Sequence, residues 1–127
     1  MTVDRLKRDL LTKLINARID LAAYLQLRKA KGYMSVSESE HLRDNLFELC
    51  NFMREKAPTL KAKYGESELI ALRRAAEVLS IAGVCLMNGR HDCPNFIAVN
   101  AEKLENCLTT LSLCIMCLNE HEKLEQH

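Results

Sequence analysis

Between Asp20 and Leu46 the chain reads DLAAYLQLRKAKGYMSVSESEHLRDNL, in which one apolar repeat of helical period ends, a glycine intervenes and a second repeat opens. Leu6, Leu10, Leu14, Ala17, Leu21 and Leu25 recur at intervals of three and four, with Leu11, Ile15, Ile19 and Ala22 beside them. That spacing predicts a helix from Val3 to Ala30 whose apolar stripe is wide enough to meet at least two other helices. Gly32 is the residue best able to adopt the left-handed conformation that stops a helix. Arg28, Lys29 and Lys31 fall in the last turn, where the partial negative charge of the helix end favours cations. A chain that stops and restarts so quickly must fold back as helix, short turn, helix.

The second helix is expected to begin near Ser37. Ser37 and Glu40 have the spacing of a capping box, and Ser35 and Glu38 repeat it. Leu42, Leu46, Leu49 and Met53 form the buried line, with Cys50 beside it, and Pro58 ends the helix by about Ala57. Thr59 to Tyr64 allow a short extra turn. The third segment steps through Leu69, Leu72, Ala76, Leu79, Gly83 and Leu86, a heptad seam of the kind that packs at a shallow angle. Ala76 and Gly83 are small enough for a neighbouring helix to approach closely. From Ala75 to Met87 apolar residues point almost all round, which predicts the most enclosed helix, ended by Asn88-Gly89. The fourth segment starts at Asn100, a good N-cap, and buries Leu104, Leu108, Leu111, Ile115 and Leu118; its polar tail is expected to fray.

Four long helices with short links predict an all-α, antiparallel four-helix bundle formed as a single domain over residues 1–127. The exception is the long link from Gly89 to Asn100 between helices three and four. Phe96, Ile97 and Val99 suggest that its second half folds over one end of the bundle. Apolar residues flanking the seams of helices one, three and four predict a homodimer that buries the surplus.

Charge narrows the partners. Residues 1–63 carry 13 Lys and Arg against 8 acids, and residues 64–127 carry 5 against 9, so the halves stand at +5 and −4. Bases alternate with acids along the helices, which predicts halves that complement each other within the fold or across a dimer rather than a phosphate-binding groove. Nucleic-acid binding is therefore an alternative and not the favoured reading. The charged opening MTVDRLKRDLL is unlike a signal peptide, and the longest apolar run, Val78 to Met87, is too short to span a bilayer. A cytoplasmic protein without membrane contact is expected.

No assembled reactive centre is legible. Cys114 and Cys117 read CIMC, and with His121, His91 and Cys93 they make a zinc set on paper. Inside a continuous helix, however, such a pair sits too far apart for a disulfide and away from the helix start that activates thiols. Small packed thiols are the expectation for Cys50, Cys85, Cys107, Cys114 and Cys117. His91-Asp92-Cys93 lies in one loop, where adjacent residues do not converge on a substrate, and Asp92 is expected to form a turn. Neither catalytic residues, metal nor cofactor are predicted. Tyr33 is expected to cap the bundle end rather than stand exposed as a partner's anchor.

The strings VDRLKRDLLTKLINARIDLAAY, LAAYLQLRKAKGYMSVSESEHLRDNL, VCLMNGRHDCP and VNAEKLENCL resemble the enterobacterial BssR family of biofilm regulators, from Val3 to about Leu118. The resemblance implies repression of biofilm formation and control of genes for uptake and export of signals, including indole and an autoinducer. The best-matching stretches, around Tyr33 to Leu42 and Arg90 to Pro94, supply a candidate interaction surface. Its residues are Arg28, Lys29, Lys31, Tyr33, Met34, His41, His91, Asp92 and Cys93. The expected mechanism is binding of a regulatory protein partner. A direct DNA-binding repressor and a bundle pocket for a small apolar signal are the alternatives.

Overall fold

Gly32 adopts φ +81° and its amide donates to the Arg28 carbonyl at 2.6 Å, closing the helix before it in the left-handed manner. The computed structural model describes residues 5–87, 90–93 and 96–125, with the strands between 90 and 98 and the turns from 121 described as backbone. The helix that Gly32 ends is α1, Arg5–Lys31, and the expected start at Val3 lies outside the described residues.

The next helix, α2 (Val36–Glu55), begins slightly earlier than predicted because the other capping pair is used. Ser35 Oγ accepts from the Glu38 amide at 3.0 Å and donates to the Glu38 carboxylate at 2.9 Å. Ser35 also belongs to a two-residue strand, β1 (Met34–Ser35), so its extended backbone is set by strand pairing before the helix starts. Pro58 both ends α2 and opens the short helix α3 (Ala57–Lys63), where its missing amide proton costs nothing. In α4 (Glu66–Met87) the Glu68 carboxylate reaches back to the Gly65 amide at 3.3 Å. The last helix, α5 (Ala101–Glu125), is capped as predicted, with Asn100 Oδ1 accepting from the Lys103 amide at 3.0 Å. It runs on to Glu125 where a frayed end was expected.

The helices α1 and α4 each pack against both α2 and α5, which closes a ring around one apolar core. Most of the predicted seam is buried, including Leu10, Leu14, Leu21, Leu46, Leu79, Leu104 and Leu111. Two expectations fail in detail. Leu108 is half-buried, and Cys107 and Cys114 take the core positions around it. Leu69 and Ala76 are half-buried because they line a groove beside α2. As expected, α4 buries the largest share of its residues among the described helices, although Ile70, Val84 and Met87 are exposed. The close approach at Gly83 is real: a Cβ there would lie 2.5 Å from the Phe47 ring.

The long link departs furthest from an all-α reading. Two strands, β2 (Arg90–Cys93) and β3 (Phe96–Ala98), pair antiparallel, and β3 also pairs antiparallel with β1. The result is a small three-stranded sheet of order β1-β3-β2 joined to the helical body. The physical reason is nonlocal. The extended residues between Gly32 and α2 expose unpaired backbone groups, and a returning strand satisfies them. Val99, just after β3, is buried in the core, as predicted for this half of the link.

Candidate functional site

Two stretches far apart in the sequence meet in this sheet. Met34 pairs with Ile97 and Ile97 with His91, so these three residues form one row across the strands. Ser35, Phe96 and Cys93 form the next row. The pairing skips Asp92, where the register shifts. Asp92 therefore belongs to an irregular strand and not to the turn that was predicted for it. The side chains of His91, Asp92 and Cys93 lie outside the described residues. Their backbone places them on the strand furthest from β1.

Beside β1 the side chains form a connected polar corner. Lys31 Nζ donates to Glu38 Oε1 at 3.1 Å and stands 5.1 Å from the centre of the Tyr33 ring. The same carboxylate oxygen accepts from Ser35, so the ammonium and then the hydroxyl hold the Glu38 carboxyl below the usual carboxylate range. Lys31 is thus committed to an intramolecular partner rather than presented to a phosphate. The ion pairs Lys31–Glu38 and Arg43–Asp44 each join residues of the basic first half, so neither bridges to the acidic second half.

The predicted surface residues divide by exposure. Tyr33 is 48% exposed and Met34 only 1%, the reverse of the expected roles. Met34 plugs the bundle end and cannot be a contact, while Tyr33 stands outside. Lys29 and His41 are exposed and Arg28 is half-buried. His41 lines a hollow of about 250 Å³ with Leu27, Met34 and Leu42. Sequence reasoning missed Tyr24, Ser39 and Leu27. Leu27 is 43% exposed near this corner, and its position off the α1 seam was the only available signal.

Cys50, Cys85, Cys107, Cys114 and Cys117 are free, and burial pushes the Cys50, Cys107 and Cys114 thiols up, away from the thiolate that reacts. Among the described residues no three His, Cys, Asp or Glu side chains gather as metal ligands, and no helix is long and apolar enough to cross a membrane. What this corner can do chemically is present shape, one aromatic ring and mixed charge to another molecule.

Comparison with known proteins points in one direction. The family model "Biofilm formation protein (YliH/bssR)" matches residues 1–126. The chain is 57% identical over 126 residues to the biofilm regulator BssR of Escherichia coli K12, covering 99% of each chain. The same identity and coverage hold for the BssR proteins of Escherichia coli O157:H7 and Shigella flexneri. No solved structure matches.

Proposed function

The chain belongs to the YliH/bssR biofilm formation family, and from that premise we propose that it represses biofilm formation by binding a regulatory protein. In this reading it is a cytoplasmic, non-enzymatic regulator whose action changes the uptake and export of signals such as indole and an autoinducer. Its scaffold is one domain built as an antiparallel four-helix bundle.

The observation that carries the proposal is the sheet. Through β3 it joins the 33–42 stretch to the 90–93 strand, with the Tyr33 ring exposed just before β1. Tyrosine is suited to such a place because it offers a large, rigid contact with a polar tip. Affinity capture from an enterobacterial lysate at physiological salt tests the idea. A reproducible stoichiometric companion should be retained by the wild-type chain and lost by Tyr33→Ala. An empty capture, or a companion indifferent to Tyr33, removes the support.

The chain is also proposed to act as a homodimer. Exposed large apolar residues sit on α1, α4 and α5, among them Ile19, Ile70, Val84, Leu113 and Met116, whereas α2 and α3 have none. Sedimentation equilibrium should return twice the chain mass for wild type and the single mass for Leu113→Lys with Met116→Lys. A monomer at every concentration would end this reading.

A further inference from the structure

A groove of about 690 Å³ runs between α2, α3 and α4, at the opposite end of α2 from the sheet. Its apolar lining includes Met53, Leu60 and Leu72, all buried, and the half-buried Leu69. The half-buried Phe47, another lining residue, rests against Gly83. Around this floor stand three exposed cations, Arg54, Lys61 and Arg73, one from each of the three helices. Among the described residues no carboxylate lines the groove, although the whole chain carries 17 acids against 18 bases. Among the described residues none of these three cations is held in an ion pair, unlike Lys31 and Arg43.

The combination selects a ligand class. A purely apolar molecule would fill the floor but leave the three like charges that line the groove without a counter-charge. An organic cation would add to that repulsion. A compact apolar body carrying one carboxylate satisfies both parts, since guanidinium groups meet carboxylates through charge-assisted, often paired hydrogen bonds. The volume lies within the range of small-molecule sites. We propose that this groove binds a small amphipathic anion, its apolar part on Leu69 and Leu72 and its carboxylate among Arg54, Lys61 and Arg73. The site is separate from the sheet end and does not depend on the partner proposed there.

Cys50 supplies a local reporter. Its thiol lines the groove and lies 3.7 Å from the Ala76 carbonyl oxygen. Octanoate, 1-octanol and octyltrimethylammonium carry closely similar straight alkyl chains on an anionic, a neutral and a cationic head. With the full-length chain, octanoate should slow alkylation of Cys50, read by mass spectrometry of its peptide, and should raise Tm. 1-Octanol should need a roughly tenfold higher concentration for the same protection, the equivalent of one good charged contact. The cation should give none. The double variant Arg54→Gln with Arg73→Gln changes exposed side chains and should keep the ligand-free Tm; because the Arg54 charge favours the Cys50 thiolate, protection is read against the variant's own ligand-free labelling rate. It should weaken octanoate protection about tenfold. Equal protection by octanol and octanoate, or unweakened octanoate binding to the variant, would overturn the proposal. So would a Tm rise without protection of Cys50, which places the ligand elsewhere. An acidic amphipathic peptide that protects Cys50 where octanoate does not would make the groove a protein-docking surface and likewise overturn it.

Discussion

The Tyr24 hydroxyl lies 2.8 Å from Ser39 Oγ in a buried contact that fastens α1 to the first turn of α2. Ser39 gives its own hydrogen to the Ser35 carbonyl at 3.0 Å, so Tyr24 is the donor of the pair. Burial raises the Tyr24 pKa, and the bond to Ser39 only partly offsets this, so the phenol stays protonated and able to donate. One buried chain of hydrogen bonds thereby ties the middle of a helix to the serine that caps the next.

The two ends of this pair should respond unequally. Tyr24→Phe removes a donor and leaves Ser39 still bonded to Ser35, at a cost of about 1 kcal/mol. Ser39→Ala strands a buried phenolic hydroxyl and should cost roughly 1–3 kcal/mol. In a double-mutant cycle by urea unfolding, the combined loss should be smaller than the sum.

The choice of cap is separately testable. Ser35→Ala loses the bond to the Glu38 amide and should cost about 1 kcal/mol. Ser37→Ala, within the helix, should stay within about 0.5 kcal/mol of wild type. A larger loss from Ser37→Ala than from Ser35→Ala in thermal unfolding would mean that the helix starts at the later serine.

Stability should depend on pH through Glu38. Its folded carboxyl is held below the ordinary value by Lys31 and then by Ser35, so ionisation favours the folded state. The contribution is present above the unfolded carboxylate pKa, about 4.3, and is lost as pH falls through the lower folded value. Because the pair is partly exposed to solvent, Glu38→Gln should cost only about 0.5 kcal/mol at neutral pH. The difference from wild type should vanish in acid below the carboxylate range, as followed by denaturant titration at several pH values.

Gly83 poses a contest between two effects. Alanine gains about 0.8–1.0 kcal/mol of helix propensity, but its Cβ would drive the Phe47 ring aside. That ring is half-buried and can swing outward, so Gly83→Ala alone should move stability by less than about 1 kcal/mol. In a Phe47→Ala background the clash is gone and the same change should stabilise by about 0.8–1.0 kcal/mol. Chemical denaturation of the four proteins measures the coupling directly.

Features written in local sequence came out as read. Gly32 stops α1, Asn100 caps α5, Pro58 divides α2 from α3, and, apart from the half-buried Leu6 and Leu108, the leucine lines of α1, α2 and α5 point inward. Each of these depends on residues within a turn or two of one another, and the physics of a helix is equally local. The candidate surface was legible only as two stretches of resemblance, without any reason for them to meet.

Tertiary structure decided the rest. The choice of Ser35 over Ser37 follows from strand pairing with Phe96, which no local propensity encodes. The same pairing fixes Met34, which is buried, while Tyr33, just before the strand, stays outside. The groove among α2, α3 and α4 exists because of how three helices lean together, and its three cations lie apart in sequence. Helices are specified by neighbours along the chain; sheets, grooves and exposed faces are specified by neighbours across space.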